Sequence, residues 1–346
     1  MKDNISVLVI YTGGTIGMIQ DKDSGALHPF NFDQLYKQIP VLEYFDFSID
    51  CHSFDPLVDS SDMNPEIWIK LADVIEANYE DYDGFVILHG SDTMAYSASA
   101  LSFMLENLNK PVIFTGSQLP LGIVRSDGRE NFITSIEIAA ARIDDTAIVP
   151  EVCIYFENNL YRGNRTFKNN AEHFQAFQSL NYPPLAEVGV HIKYNYNHIL
   201  KPKFKRLKVF RGLNSNIGIL KLFPGIREKF VRSIVESPGL EGLILETYGS
   251  GNAPTSAWLI DLLKECIHKK NILVYNVTQC KGGAVDMGKY QTSVALSKIG
   301  VKSGRDITTE SALAKMMYVL GKYKDREEAG IMLERSLKGE MRAKND

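Results

Sequence analysis

The stretch "VIYTGGTIGM", Val9 to Met18, indicates how this chain of 346 residues folds and where its chemistry lies. An apolar run ends in Gly13 and Gly14, which Thr12 and Thr15 bracket. The run predicts a buried strand, and glycines let the backbone turn sharply and bring its N–H groups close to a ligand. A hydroxyl at that point can stand beside an oxyanion hole. A tight strand-to-helix turn capped by Thr15 explains the stretch equally well.

Apolar, β-branched runs that end in glycine-rich or polar corners recur along the chain. In its first half they span Ser6–Tyr11, Phe85–Leu88, Val112–Thr115 and Val152–Phe156. Segments with helical spacing separate them, at Pro65–Asn78, Met94–Leu108 and Asn131–Ala141. This alternation predicts an α/β fold with a parallel-type sheet covered by helices on both faces. Ligands of such sheets bind outside the carboxyl ends of the strands, which is where the corners lie.

The alternation breaks at residues 191–212, which we interpret as a linker. It would join an N-terminal domain, residues 1–190, that carries the corners to a smaller C-terminal α/β domain, residues 213–346. Strand-like runs of the second domain span Ile217–Leu222, Leu243–Leu245 and Ile272–Val277. The tail from Lys322 onward alternates charged and apolar residues, which predicts an amphipathic terminal helix.

A basic run from His191 to Arg211 holds seven Lys or Arg and no acidic residue. Basic runs with interleaved aromatic residues can contact nucleic acid, but a solvated linker needs no such function. The chain as a whole carries 38 Lys and Arg against 42 Asp and Glu, a formal net charge of -4. This balance argues against a protein that mainly binds nucleic acid or an anionic membrane.

Cysteine usage and apolar runs indicate the compartment. The four cysteines are far apart in sequence and form no CxxC pair: Cys51, Cys153, Cys266 and Cys280. The seven histidines form no HExxH-type pair. No apolar stretch approaches the roughly 18 residues that a membrane span needs, and "MKDNISVLVIYTGG" lacks a small-residue cleavage site. We therefore expect a cytoplasmic protein with reduced thiols, no metal site and no secretory signal.

A second corner, "HGSDTM", places Ser91 and Asp92 at a strand end directly before a predicted helix. Both are ordinary helix-capping residues. Two further segments change the interpretation: "PLVDSSDMNP" at residues 56–65, and "RGNRTFK", which ends at Lys168. Together they offer hydroxyls, carboxylates and one lysine at loop positions. This set suits a hydroxyl nucleophile with a lysine-assisted base.

In this order, the segments resemble those of the L-asparaginases, and most closely the type I cytoplasmic branch of the bacterial-type enzymes. The resemblance covers essentially the whole chain and rests on "YTGGTIGM", "LVDSSDM", "HGSDTMAYSASA", "TGSQLP", "LYRGNRTFK" and "YGSGNAP". It implies hydrolysis of L-asparagine to L-aspartate and ammonia without a metal or organic cofactor. It also implies a two-domain α/β fold and a homodimer or a dimer-paired homotetramer.

The resemblance assigns roles by position. Thr15 matches the threonine nucleophile, Ser91 the second hydroxyl, Asp92 the carboxylate that holds the α-ammonium of the substrate, and Lys168 the lysine that supports the second hydroxyl. Three further residues match the loop that grips the α-carboxylate and α-ammonium: Asp59, Ser60 and Ser61. Attack by Thr15 would give an acyl-enzyme and ammonia, although water oriented by Thr15 could also attack directly.

Three features depart from the family pattern. Ser91 stands where a threonine is usual, so its hydroxyl lacks the β-methyl that restricts χ1. The tyrosine that many relatives carry after the first strand is missing, and Tyr290 of a partner subunit could replace it. Phe167 and Glu246 stand where some type I members, which bind a second asparagine, have a small polar residue and an arginine. A carboxylate there reverses the charge, so we expect no strong asparagine cooperativity.

Other functions remain open on the sequence. One subunit of a tRNA-dependent amidotransferase contains a related domain, normally preceded by an extension that we do not expect here. A mixed asparaginase and glutaminase differs only in pocket length, and one methylene is worth about 1 to 3 kcal/mol. An inert amino-acid binder would need the substrate clamp but not Thr15 and Lys168.

Overall fold

The computed structural model describes residues 5–20, 27–29, 39–288 and 291–343. By its internal contacts the chain divides into two compact units, Met1–Val209 and Phe210–Asp346.

An eight-stranded sheet forms the centre of the first unit. Its strands, in chain order, are β1 (Ser6–Tyr11), β2 (Ser48–Ser53), β3 (Gly84–Leu88), β4 (Val112–Thr115), β5 (Val152–Phe156), β6 (Asn159–Arg162), β7 (Ala186–Val188) and β8 (Ile192–Tyr194). Their order across the sheet is β8-β7-β6-β5-β4-β3-β1-β2. Strands β2, β1, β3, β4 and β5 are parallel, and the pairs from β5 to β8 are antiparallel.

The predicted α/β fold is confirmed, and the sheet is mixed rather than wholly parallel. The antiparallel part begins at the tight connection between β5 and β6. Its two residues, Glu157 and Asn158, have φ angles of 41° and 67°. Two residues with positive φ suit a hairpin, and a connection this short can only join antiparallel strands.

Among the described residues of the first unit, three α-helices pack: α1 (Pro65–Ala77), α2 (Met94–Met104) and α3 (Gly128–Ala140). Helix α1 begins with Pro65 and is capped by Asn64, whose side chain accepts from the Ile67 N–H at 3.1 Å. Helix α2 ends at Met104, before the predicted end at Leu108, because Leu105–Glu106 pairs as a strand with Lys208–Val209.

Other short strand pairs of the first unit are Met18–Gln20 with Leu27–Pro29, Arg142–Ile143 with Thr146–Ala147, and Phe167–Lys168 with Phe177–Gln178.

Part of the segment predicted to be a linker is folded into the sheet. Strand β8 pairs with β7, and its residues Ile192 and Tyr194 pack against the core. Apolar and basic residues alternate there, which is the pattern of a strand with one apolar face. Further along, the His198 carbonyl accepts from Arg162 Nη2 at 2.8 Å, and this arginine pairs with buried Glu151 at 2.6 Å.

The core of the first unit encloses the parallel strands. In β1, every residue from Val7 to Tyr11 is buried, and all five residues of β3 are buried as well. Strands buried on both sides require layers on both faces of the sheet. The large fully buried side chains of this unit include Tyr155, Phe85, Phe103, Phe114 and Phe132.

The second unit is a smaller α/β unit. Its parallel strands are β9 (Ile217–Lys221), β10 (Gly242–Thr247), β11 (Leu273–Thr278) and β12 (Lys302–Ser303), in that spatial order. Its helices are α4 (Glu228–Val235), α5 (Ala257–His268), α6 (Gln291–Lys298), α7 (Thr309–Lys322) and α8 (Arg326–Glu334). After α8, Glu340 forms a fully buried ion pair with Lys315 of α7 at 2.7 Å. Among the described residues, no helix is long and apolar enough to cross a membrane.

Candidate active site

The three corners that the sequence singled out follow neighbouring strands. "TGGT" follows β1, "DSS" lies beyond β2, and "HGSD" follows β3, and β1 lies between β2 and β3 in the sheet. Backbone hydrogen bonds join the corners. The Thr12 N–H donates to the Leu88 carbonyl at 3.0 Å, and the Thr12 carbonyl accepts from the Val58 N–H at 2.7 Å. The corners therefore form one surface at the carboxyl edge of the sheet.

Glycines let these corners touch without intervening side chains. Gly13 has φ 136°, and a Cβ there would collide with the Val58 carbonyl oxygen. Gly14 has φ 94°, and its Cβ would lie 2.5 Å from the Gly90 nitrogen. A Cβ on Gly90 would in turn lie 2.5 Å from Ser60 Oγ. Each distance is too short for a real contact, so the corners need glycine at all three positions.

Thr15 does not cap the short helix that it begins. The helix spans Thr15–Gly17, its N-cap is Gly14, and no side chain caps it. In the described part of the chain, no group forms a hydrogen bond with the Thr15 hydroxyl. The side chain is half-buried beside the contact of Gly14 with Gly90. Among the described residues, the Thr15 hydroxyl thus has no capping role or hydrogen-bond partner at this corner.

Ser91, Asp92 and Lys168 form one hydrogen-bonded cluster. Lys168 Nζ donates to Ser91 Oγ at 2.8 Å and to Asp92 Oδ1 at 2.7 Å. The Lys168 side chain is 18% exposed, and that of Asp92 is 68% exposed. Helix α2 has Thr93 as its N-cap and no capping side chain, so neither Ser91 nor Asp92 caps it. The simple capping interpretation of these two residues does not hold.

The substrate-loop residues have their own network. Asp59 Oδ1 accepts from the Ser61 N–H at 2.8 Å and from Ser61 Oγ at 2.6 Å. These two bonds lower the pKa of the Asp59 carboxyl below its usual value. Ser60 is buried, and its carbonyl accepts from Thr93 Oγ1 at 2.5 Å. Asp59 is therefore a fixed carboxylate, and its loop is tied to the start of α2.

Gln118 is a site residue that the sequence did not single out. Its Oε1 accepts from Ser91 Oγ at 3.3 Å, and its Nε2 donates to the Ala171 and His173 carbonyls, both at 3.1 Å. The Ser91 hydroxyl thus accepts from Lys168 and donates to Gln118. The stretch "GSQLP" marks a strand end, but nothing in it indicates which loop the glutamine side chain reaches.

Asp127 orders the loop that carries Gln118. Its carboxylate accepts from the Gln118 N–H at 3.1 and 3.0 Å and from the Leu119 N–H at 3.2 Å. It also accepts from Asn131 Nδ2 at 3.2 Å. Burial raises the pKa of Asp127, and these hydrogen bonds oppose that change. A half-buried carboxylate that accepts from three donor groups stabilises one loop conformation.

The comparisons with known proteins identify the family. The model of the asparaginase N-terminal domain matches residues 6–200, and that of the glutaminase/asparaginase C-terminal domain matches residues 216–332. The chain belongs to the asparaginase family. It is 44% identical over 343 residues to L-asparaginase 1 of Escherichia coli K12, and the match covers 97% of this chain and 98% of that protein.

Two solved structures of asparaginases have the same fold. The crystal structure of L-asparaginase I from Vibrio cholerae superposes with a TM-score of 0.88 at 41% identity, over 98% of this chain and 99% of that one. The thermostable L-asparaginase from Thermococcus kodakarensis superposes with a TM-score of 0.89 at 30% identity, over 98% of this chain and all of that one.

Tyr290, Phe167 and Glu246 are among the residues at which the chain departs from the asparaginase family pattern. Tyr290 lies outside the described residues. Phe167 is buried and pairs across a short strand with Gln178. Glu246, in β10, accepts from Thr309 Oγ1 at 2.7 Å and lies 3.7 Å from Lys221 Nζ. Both Phe167 and Glu246 thus have contacts within their own unit.

Proposed function

We propose that this protein is an L-asparaginase that hydrolyses the side-chain amide of L-asparagine to L-aspartate and ammonia. The observation that carries the proposal is the cluster of Ser91, Asp92 and Lys168 at a corner whose backbone touches Gly14, next to Thr15. An inert binder would have no use for a lysine-linked hydroxyl beside the Thr15 hydroxyl, which forms no hydrogen bond with the described residues. The close relatives that bear the name L-asparaginase support the same activity.

In the proposed reaction, Thr15 Oγ attacks the carbon of the side-chain amide. The hydroxyl proton passes to the cluster, and the amide nitrogen takes up a proton and leaves as ammonia. The resulting ester joins Thr15 to the β-carboxyl of aspartate. Water then attacks this ester, aspartate leaves, and the Thr15 hydroxyl regains its proton. Such proton transfer contributes typically about 10² to 10⁴-fold to a rate.

Lys168 and Ser91 form the route for the proton. Lys168 Nζ lies 2.8 Å from Ser91 Oγ, so a neutral Lys168 amine can take the Ser91 proton once that hydroxyl turns from Gln118 toward Nζ. Asp92 lies 2.7 Å from Lys168 Nζ, and its carboxylate stabilises the ammonium that forms when the amine takes up this proton. Backbone N–H groups near Gly14 and Ser91 would stabilise the oxyanion, each donor being worth about 10² to 10³-fold.

Asp92 and Asp59 suit the charges of a free amino acid. Asp92 is the more exposed partner of its ion pair and can turn one oxygen toward an α-ammonium. Asp59 accepts from the Ser61 hydroxyl, and a bound α-carboxylate would draw that hydroxyl away from Asp59. Specificity for a zwitterion therefore comes from carboxylates and hydroxyls on two corners. Glutamine differs from asparagine by one methylene, so a lesser glutaminase activity is the nearest alternative.

The proposal includes a homo-oligomer, a dimer or a dimer of dimers, in which Tyr290 of the partner subunit completes the site. Coexpression of a Thr15→Val chain with a Tyr290→Phe chain tests it. If sites are shared, mixed dimers hold one intact site and regain activity that neither variant has alone.

A cytoplasmic location is supported by the four cysteines, all of which are free.

The decisive experiment measures ammonia release from L-asparagine and L-glutamine by the wild type and by Thr15→Val. We expect asparagine to be the better substrate and kcat to fall by about 10³-fold or more in the variant. Thr146→Val is the matched control, because the hairpin of Thr146 contains Arg142, which pairs with Asp83 just before β3, at the opposite edge of the sheet. A Thr15→Val variant that keeps its asparaginase activity would contradict the assignment of Thr15 as the nucleophile.

Mass spectrometry of the quenched reaction separates the two modes of attack. A covalent route adds one β-aspartyl group to the peptide that contains Thr15. A wild type that turns over asparagine without this adduct, even after rapid acid quenching, favours direct attack by water.

A further inference from the structure

Three buried side chains, linked by hydrogen bonds, lie directly behind the corner that carries Ser91. His89 follows β3 and is 1% exposed. Its Nδ1 lies 2.6 Å from the Gly90 carbonyl oxygen, and its Nε2 lies 2.9 Å from Ser97 Oγ of α2. Trp68 of α1 donates its indole N–H to the same Ser97 oxygen at 2.9 Å. These three side chains thus link helices α1 and α2 to the Gly90 carbonyl.

Burial determines the charge of this ring, and its neighbours determine the position of its proton. Burial lowers the pKa of His89 to about 4, so the ring is neutral near pH 7. A carbonyl oxygen only accepts, so Nδ1 of the neutral ring must carry the proton and donate it to Gly90. The indole N–H only donates, so Ser97 Oγ accepts from Trp68 and gives its own proton to His89 Nε2. One arrangement of protons therefore satisfies all three contacts.

The Gly90 carbonyl and the Ser91 N–H belong to the same peptide group. In a planar trans peptide these two groups point in opposite directions, so a bond that fixes one fixes the other. In the described part of the chain, the Ser91 N–H has no hydrogen-bond acceptor. Among the described residues it is therefore an unused donor, on the side of the peptide opposite to His89.

Gly90 explains why this peptide needs an anchor. A Cβ at position 90 would lie 2.5 Å from Ser60 Oγ, so the close packing of the corners requires glycine. Glycine leaves the flanking backbone free to rotate, which would let the peptide turn its N–H away. The His89 bond removes that freedom. Acceptance of a hydrogen bond by the carbonyl also polarises the peptide and strengthens its N–H as a donor.

We propose that His89 is a positioning residue, which aims the Ser91 N–H at the oxyanion that forms when the asparagine amide is attacked. This role rests on the proposed asparaginase function. His89 is buried behind the peptide and acts through the Gly90 carbonyl, while Ser97 and Trp68 hold the ring in the required tautomer.

Kinetics of two His89 variants test the role. His89→Leu removes the donor, and His89→Asn can place an amide N–H near the position of Nδ1. We expect His89→Leu to lower kcat by about 10 to 10²-fold with KM for asparagine changed less than about threefold, because Asp59 and Asp92 bind the ground state. His89→Asn should recover most of kcat. Equal losses in both variants, or a loss confined to KM, would overturn the proposal.

A second measurement determines the tautomer in the wild type and needs a folded His89→Asn variant only to assign the signal. Long-range ¹H–¹⁵N spectra of histidine-labelled protein distinguish the two neutral tautomers, and the signal missing in His89→Asn belongs to His89. A proton on Nδ1 at neutral pH supports the proposal, and a proton on Nε2 contradicts it. A wild type that releases no ammonia contradicts the asparaginase function and this role with it. An active wild type with an unimpaired His89→Leu contradicts the positioning role alone.

Discussion

Gly14 and Gly90 meet backbone to backbone, because a Cβ on Gly14 would lie 2.5 Å from the Gly90 nitrogen and 2.6 Å from its Cα. The contact joins the corner after β1 to the corner after β3. It brings the segment of Thr15 to the segment of Ser91, so the distance between the two hydroxyl-bearing corners depends on the absence of a side chain on Gly14.

Gly14→Ala should therefore abolish most activity. The substitution introduces a clash and places a side chain at φ 94°, which strains the backbone. We expect kcat for asparagine to fall by about 10²-fold or more, since small displacements of reacting groups have large effects. Gly122→Ala is the matched control, because Gly122 is exposed and has no atom within 4 Å of its would-be Cβ. An active Gly14→Ala enzyme would show that the corners can separate without harm.

The cluster of Lys168 and Ser91 gives a second prediction. Lys168→Met keeps much of the side-chain volume but removes the group that lies 2.8 Å from Ser91 Oγ. We expect kcat to fall by about 10² to 10⁴-fold. Ser91→Ala should behave similarly, whereas Ser91→Thr keeps the hydroxyl and should remain within about threefold of the wild type.

Steady-state assays of these variants test the prediction. Lys264→Met, on the exposed face of α5, is the control for the loss of a lysine. An active Lys168→Met variant would show that the lysine is not part of the proton route.

The sequence predicts which residues belong to the candidate site better than it predicts the hydrogen bonds between them. Motifs at the ends of parallel strands, together with the family resemblance, predict Thr15, Ser91 and Asp92 as site residues, and the resemblance adds Lys168. No spacing pattern sets a distance between residues that are 77 positions apart, such as Ser91 and Lys168. The roles of the site residues stay predictions until variants are assayed.

Residues that act from behind the site are harder to predict. Gln118 and His89 stand within "GSQLP" and "HGSDTM", yet their partners lie on other loops and helices. A glutamine in a turn and a histidine after an apolar run have many ordinary explanations. The strand Ile192–Tyr194 escapes prediction for a related reason, since three residues of alternating polarity give little signal among basic neighbours.

Burial of His89 gives a third prediction, on stability against pH. Its pKa is about 4 in the folded chain and near the ordinary 6.5 in the unfolded chain. Between these values the unfolded chain binds a proton that the folded chain does not, so stability falls as the pH drops from about 6.5 toward 4. The full effect is about 3 kcal/mol, at about 1.4 kcal/mol per pH unit.

Denaturant unfolding at several pH values between these limits measures the effect. Other groups also titrate in this range, so the relevant quantity is the difference between the wild type and His89→Asn. The variant should lose less stability than the wild type as the pH falls, because it lacks the histidine. Parallel pH profiles for the two proteins would contradict the prediction.

The contacts of Phe167 and Glu246 give a fourth prediction, on cooperativity. The family resemblance implies that type I members that bind a second asparagine use a small polar residue and an arginine at these positions. Here Phe167 is buried, and Glu246 is held by Thr309 Oγ1 at 2.7 Å, with Lys221 nearby. A carboxylate at this place repels the carboxylate of an effector, and a rotation of the side chain does not change its sign. The chain should therefore lack a second asparagine site.

Rates and binding together test this absence of cooperativity. Initial rates against asparagine concentration should follow a hyperbola with a Hill coefficient of about 1, because no second site couples to the first. Binding of radiolabelled asparagine to Thr15→Val, which retains the substrate clamp, should likewise give one site per subunit. A sigmoidal rate curve together with two sites per subunit would show that another set of residues binds the effector.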